Sequence, residues 1–280
     1  MTGSRLAGAI GALLIVGLVL GALAGDRVAG YRFDAQDSAH TLEPPSRAHW
    51  LGTDALGRDQ LARLAEGARV SLLVAIGATS LALLIGLFYG LVAGWVGGRV
   101  DGLMMRAVDV IYALPDVLVI VLLIEVLQVT LVGVPDIARR VAALVAALGF
   151  VGWVGIARLV RALVLQAREE TWVEAARALG LRDARILLRH VLPNISGPIL
   201  VAAAFQIPAA ILAESTLSFI GLGIQPPFSS WGTLASDGFE AMRSYPYLVF
   251  SPCLAILLAL VGFQLLGETL RAVLDPRRRV

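Results

Sequence analysis

Long stretches of this chain carry no charged residue at all, among them 6–25, 70–98, 141–157, 191–213 and 244–267. A helix that crosses a bilayer needs about 20 apolar residues, and most of these runs reach or exceed that length. Hydrophobic residues make up 58% of the chain and charged ones only 16%, for a mean hydropathy of +0.81. A soluble domain is about a quarter charged, and a core of this size could not hide so many apolar side chains. Soluble globular, fibrous, disordered and disulfide-rich classes are excluded. The sequence reads as a polytopic membrane protein.

All 23 basic residues are arginine. Without lysine there is no Schiff-base chemistry and no phosphate-binding P-loop, which requires GK[ST]. Cys253 is the single cysteine, so neither an intrachain disulfide nor a cysteine-rich metal site can form. His40, His49 and His190 are too scattered to suggest a metal site. The basic balance, with a pI near 9.0, borders apolar runs, where arginine sets topology rather than binding nucleic acid. No catalytic constellation and no bound cofactor are expected of this chain.

The spans are placed at 6–25, 70–97, 107–127, 138–160, 197–219 and 246–267. Residues 6–25 follow Arg5 and end near Ala22-Leu23-Ala24, which resembles a signal cleavage site. Twenty uncharged residues exceed the roughly 7–15 of a signal-peptide core, however, so a retained first helix is favoured. Residues 26–69 are polar and turn-rich and read as an extramembrane loop. Ala78, Ala82, Gly86, Gly90 and Gly94 recur every four residues, which puts one small ridge along the second span for close helix packing. Pro115 is expected to kink the third span, and Asp116 is its one deep ionisable residue, a candidate for substrate or proton handling. Residues 221–245 read as a Gly/Pro-rich loop.

With both termini inside, cytoplasmic segments hold fourteen of the arginines, including Arg277-Arg278-Arg279, and outer segments hold nine. The positive-inside bias supports this orientation, with Arg139-Arg140 as a counter-signal.

Residues 166–194, QAREETWVEAARALGLRDARILLRHVLPN, are the most informative. Thr171-Trp172-Val173-Glu174 fits a capping box, so a helix is expected to start at Thr171. Trp172, Ala175, Ala176 and Leu179 would form one apolar stripe, and Gly180 supplies a C-terminal stop. A second helix would be capped by Asp183, with Ala184, Leu187, Leu188 and Val191 on one face and Arg182, Arg185 and Arg189 on another, ended by Pro193. Two short amphipathic helices with a glycine hinge make a knob on the arginine-rich side. It is either an interfacial element resting on headgroups or a docking element, for which small Ala175 and Ala176 are suited.

Glu174-Ala175-Ala176, Gly180 and Leu192-Pro193 resemble the EAA loop of ATP-binding-cassette importer permeases. Further strings are similar to the dipeptide/oligopeptide/nickel group: His49-Trp50-Leu51-Gly52-Thr53-Asp54 with Gly57-Arg58-Asp59, Glu214-Ser215-Thr216-Leu217-Ser218-Phe219, Pro226-Pro227, Ser230-Trp231-Gly232, and Gly267-Glu268-Thr269-Leu270-Arg271 with Leu274-Asp275-Pro276-Arg277. Glu268 and Ala272 depart from that pattern, and 128–140 contains no family string.

The resemblance implies an all-α membrane protein of about six transmembrane helices, with a cytoplasmic coupling helix of the type I importer kind. Its segments would be 1–25 (tip and first helix), 26–69 (extracytoplasmic loop) and 70–280 (permease domain with coupling loop 166–194). It implies a subunit of the bacterial or archaeal cytoplasmic membrane carrying peptides, with nickel, glutathione, opines or sugars as alternatives. The partners would be a homologous permease, two P-loop ATPase subunits holding ATP and Mg, and an extracytoplasmic substrate-binding protein. Coupling to the ATPase would fall to Thr171, Trp172, Glu174, Ala175, Ala176, Leu179, Gly180 and Arg182.

Asp54, Arg58 and Asp59 would pair with each other or with the binding protein. Trp231 would anchor a rigid loop at the interface, and Glu214 would satisfy nearby hydroxyls, with Ser215, Thr216 and Ser218 at hand. The competing reading is a stand-alone secondary transporter, which would want inverted repeats and paired intramembrane charges; neither is found.

Overall fold

The computed structural model describes residues 2–131 and 133–274. The arginine tail 277–279 and the Asp275-Pro276-Arg277 string lie outside them. Among the described residues the fold is helical, with one isolated bridge between Thr53 and Asp59.

The long helices follow the charge-free runs but overshoot them. They are α1 (Thr2–Ala29), α2 (Gln60–Val96), α5 (Asp136–Arg168), α8 (Leu192–Phe219) and α10 (Tyr247–Leu274). Helix α2 begins at Gln60 rather than at 70, because Asp59 caps it by accepting from the Ala62 N–H at 2.8 Å. Its 37 residues extend about 55 Å at 1.5 Å per residue, well beyond a hydrocarbon core of about 30 Å. The charged first turns of α2, with Arg63, Glu66 and Arg69, therefore fall outside the hydrocarbon.

The expected single kinked span at 107–127 is instead two helices, α3 (Gly98–Tyr112) and α4 (Asp116–Thr130), meeting at 89°. Pro115 lacks an N–H and disfavours helix at the residue before it, so the chain breaks rather than bends. Asp116 becomes the first residue of α4, exposed, where its charge complements the helix N-terminus. Counting the bent pair as one span gives six in all by length and composition. Residues 221–245 likewise are not all loop: α9 (Trp231–Glu240) starts with a capping box between Ser230 and Thr233.

Helix α2 lies at the centre against α5, and the small ridge is the reason. A Cβ on Gly90 would meet the Ala157 carbonyl and Val160 Cβ, both at 2.6 Å, and one on Gly86 would meet Ile156 Cβ at 2.7 Å. Ala78, Ala82, Gly86, Gly90 and Gly94 are all buried. Helices α1 and α10 flank α2 on another side. There Arg69 donates to the Ala22 carbonyl at 2.5 Å and to Asp26 at 2.8 Å, tying α1 to α2. The outward faces of α1, α4 and α10 stay apolar, with Leu13, Leu20, Leu122, Val129 and Phe250 exposed, as lipid-facing or partner-facing helices require.

Candidate functional site

The knob lies beside the Val96 end of α2. Helix α6 (Thr171–Ala178) starts at Thr171 as the sequence suggests, but the capping box does not form. Glu170 takes the cap position and makes no side-chain cap bond. At the other end the stop is explicit. Gly180 has φ +78°, its N–H donates to the Arg177 carbonyl at 2.9 Å, and the Leu181 N–H donates to that of Ala176 at 3.2 Å. This paired closure satisfies two carbonyls that the helix end would leave open.

The expected apolar stripe divides in two. Val173 and Ala176 turn inward and are buried, with Trp172 half-buried, while Glu174 and Ala175 face outward and Leu179 is 82% exposed. Exposed Thr171, Gly180 and Arg182 border the same outward surface.

The second helix differs more. Helix α7 (Asp183–Ile186) has Arg182, not Asp183, at its cap position. It runs through a π turn (Leu187–Val191) straight into α8, so Pro193 sits in the first turn of α8 and ends nothing. The π turn shifts the inward face to a five-residue step, which buries Ile186 and Val191 and leaves Ala184 and Leu188 exposed. The Asn194 side chain donates to the His190 carbonyl at 3.0 Å beside the proline.

Val173, Ala176, Ile186 and Val191 pack with Val160, Val164 and Ala167 of α5 in one apolar cluster. Arg177 lies over the Trp95 ring at 5.2 Å and pairs with Asp183 at 3.5 Å, and Arg168 donates to the Gly94 carbonyl at 2.9 Å. The knob is thus fastened to both α2 and α5, and its chain continues unbroken into α8.

At the opposite end of α2 the motif strings converge into a buried polar scaffold. Asp54 Oδ2 accepts from Arg58 Nε and from Arg63 Nη1, both at 2.6 Å. Arg63 also donates to Ser229 at 3.2 Å and to Asp237 at 2.9 Å. Asp59 holds His49 Nδ1 at 2.8 Å. Asp54, Arg58 and Asp59 are nearly completely buried, so they pair with the chain itself rather than standing out toward a binding protein. Trp231 is no interfacial anchor: it is fully buried in the apolar cluster between α2, α8 and α10.

Glu214 is also fully buried. It accepts from Ser218 at 2.7 Å and Ser71 at 2.8 Å, with Ser215 more distant at 3.5 Å, whereas Thr216 turns away to the Leu212 carbonyl. Asp116 borders a small cleft with Tyr112 and Gly155 and has no ion pair among the described residues. The neighbouring charge is taken: Arg158 pairs with Asp109 at 2.7 Å and covers the Tyr112 ring at 4.4 Å.

Arg63, Ser71, Asp237 and Trp95 belong to these two sites without having been expected there. A signal for the first existed, since Arg63 falls in register with Gly67, Val70, Val74 and Ala78 on the buried face of α2. Farther out, the hydrogen bond from His40 Nδ1 to Asp37, 2.8 Å long, raises the His40 pKa above the ordinary histidine value. The same bond, with the Ala39 N–H, lowers that of Asp37.

Comparison with known proteins bears on both ends. Residues 86–280 match the family model described as binding-protein-dependent transport system inner membrane component. An oligopeptide transport system permease protein OppC from Bacillus subtilis is 38% identical, over 96% of this chain and 85% of that one. A dipeptide transport system permease protein DppC from the same organism is 45% identical, over 84% and 71%. A glutathione transport system permease protein GsiD from Pectobacterium atrosepticum is 37% identical, over 84% and 75%. Among solved structures, an amino acid ABC transporter chain overlays with a TM-score of 0.51 at 21% identity, over 78% of this chain and 94% of that one; the likeness is one of fold.

Proposed function

The chain belongs to the binding-protein-dependent transport system inner membrane component family, and on that premise we propose that it forms half of a peptide pathway in an ATP-driven importer. It would stand beside a homologous permease, with two P-loop ATPase subunits binding ATP and Mg on the knob side. A substrate-binding protein would deliver peptide at the opposite face. The termini and the knob would then be cytoplasmic, in agreement with the arginine distribution.

One observation carries the mechanism: the knob's inner face is locked into α5 by Val173, Ile186 and Val191, while its outer face presents Glu174, Ala175 and Leu179. A partner that grips the outer face must move α5 and α8 with it. Closure of an ATPase dimer would displace the knob as a rigid body and rock the spans between inward- and outward-open states. That works only if the two nucleotide states bind the knob differently. This chain has no lysine and no P-loop, so hydrolysis would belong to its partners.

Peptides are the favoured cargo because the oligopeptide and dipeptide permeases named above are similar over most of this chain. The likeness to a glutathione permease supports a second cargo of related chemistry, a γ-linked tripeptide.

Mild-detergent purification followed by mass spectrometry tests the assembly. A second permease and P-loop ATPases should travel with this chain. Its stable purification alone, under conditions that preserve other complexes, would revive the secondary-transporter reading. In the assembled complex, Glu174→Lys should leave membrane insertion intact and abolish substrate-stimulated ATPase activity.

A further inference from the structure

Beside the buried scaffold, at the α2 end remote from the knob, lies a cavity of about 220 Å³. Its polar wall consists of Asp54, Arg58, Gln60, Arg63, Asp237 and Glu240. Arg58 is 6% exposed, and its backbone N–H and Nε both donate to Asp54. Neither of its Nη groups makes a hydrogen bond among the described residues. Arg63 differs, since Nε, Nη1 and Nη2 are all engaged. Arg58 therefore brings two charged donor groups, uncommitted within the described residues, to the wall of an open cavity.

The same lining is also acidic. Asp237 spends Oδ2 on Arg63, leaving Oδ1 unengaged among the described residues, and Glu240 is exposed with no ion pair among them. Gln60 lines the cavity as well; its Nε2 donates to the Leu248 carbonyl at 3.3 Å and its Oε1 is buried without a partner. Three carboxylates against two guanidinium groups leave the site one negative charge in excess. A simple anion would face unpaired acids, and a simple cation would leave Arg58 unmet. A ligand with an ammonium next to an acceptor oxygen answers both.

We propose that this cavity binds the main chain of an α-amino-acid residue, with its carbonyl or carboxylate oxygen on the Arg58 Nη groups and its α-ammonium between Asp237 and Glu240. The volume falls below the roughly 300–1,000 Å³ of pockets that enclose a drug-sized ligand, which suits one residue rather than a whole peptide. Leu42, Leu56 and Leu248 supply an apolar wall for a side chain without selecting among side chains. Resting on the peptide-importer reading, the site would hold the amino-terminal residue of a peptide at the outer mouth. A free amino acid presents the same chemistry.

Calorimetric titration of the intact importer in nanodiscs, without its binding protein, tests this with three probes: alanyl-alanine, N-acetyl-alanyl-alanine and free alanine. Alanyl-alanine should bind, and acetylation, which removes the ammonium, should weaken binding tenfold or more. Glu240→Gln, an exposed position, should weaken it several-fold, while Arg243→Gln should not. Arg58→Gln removes one of the two guanidinium bonds to the Asp54 carboxylate and leaves that from Arg63; it and the charge-preserving Arg58→Lys should both weaken binding. Equal affinity for the acetylated and free dipeptides, or unchanged affinity in Glu240→Gln, overturns the proposal. Free alanine binding as tightly as alanyl-alanine supports the site with an amino acid as its occupant. No heat from any probe, while the complete importer transports alanyl-alanine, overturns the cavity assignment alone. Binding without dipeptide transport by the complete importer supports the cavity and overturns the peptide reading.

Discussion

The Leu181 N–H donates to the Ala176 carbonyl across 3.2 Å, closing α6 at the point where Gly180 turns the chain toward α7. That closure sets the angle between the outward residues of α6 and the π turn that leads into α8. It requires φ +78° at Gly180, where nothing lies within 4 Å of an added Cβ. Only backbone conformation, not space, restricts this position.

Gly180→Ala should accordingly cost about 1–2 kcal/mol locally, the usual penalty for an L-residue in the left-handed region, and Gly180→Val more. Both variants should insert in the membrane. Gly180→Val should lose substrate-stimulated ATPase activity in the assembled complex, with Gly180→Ala intermediate. Full coupled activity in Gly180→Val would show that the knob's shape does not matter.

At Gly90 it is space that restricts, because the Ala157 carbonyl is backbone and cannot yield. Gly90→Leu should cost at least the 1–3 kcal/mol typical of overpacking and lower the melting temperature of the purified protein. Gly155 on α5 has nothing within 4 Å of an added Cβ. Gly155→Ala should be neutral or stabilise by up to about 1 kcal/mol. Equal melting of the two variants would contradict the α2–α5 interface.

The four-residue repeat of small side chains made that interface legible in the sequence, because helix geometry turns such a repeat directly into a face. The broken third span was half legible: Pro115 was visible, but whether a proline kinks or severs a helix depends on what packs around it. The knob's location and its glycine stop were legible from local chemistry. Its division into buried Val173 and exposed Leu179 was not, since α5 decides which side of a short helix is covered. The outer cluster was half legible: the Asp54–Arg58 pair was one of the two expected alternatives, but its burial was not foreseen. Asp54 and Arg58 look like surface loop residues until Arg63, Ser229 and Asp237 are brought to them from distant segments.

Glu214 holds Ser71 of α2 and Ser218 of its own helix at 2.8 and 2.7 Å. Glu214→Ala would leave buried hydroxyls without an acceptor, at about 1–3 kcal/mol, and should lower the melting temperature. Ser71→Ala leaves Glu214 its bond from Ser218 but removes the hydroxyl that accepts from the Trp231 N–H at 3.2 Å; it should still cost less than Glu214→Ala. A larger loss in Ser71→Ala than in Glu214→Ala would contradict the carboxylate as the centre of this cluster.

The His40–Asp37 contact carries a pH window. His40 is raised by the bond, so its share is full below the ordinary histidine pKa and is lost as pH climbs through the raised value. Asp37 is lowered, so its share is present above the ordinary aspartate pKa and is lost as pH falls through the lowered one. An NMR titration of His40 should give a midpoint above the ordinary histidine value, moving down in Asp37→Asn. An unmoved midpoint would contradict the contact.

The proposed function requires that the outward face of α6 meets the ATPase. With the exposed Cys253 replaced by serine, Leu179→Cys carries a reactive thiol at an 82% exposed position, and Leu56→Cys carries one at the opposite end of α2, 47% exposed. Each variant is labelled with a benzophenone maleimide in membranes of the assembled complex and irradiated, and its adducts are sequenced. ATPase docking on α6 predicts a P-loop ATPase adduct from position 179 and none from position 56. An ATPase adduct from position 56, or none from 179 in a complex that still hydrolyses ATP, would contradict it.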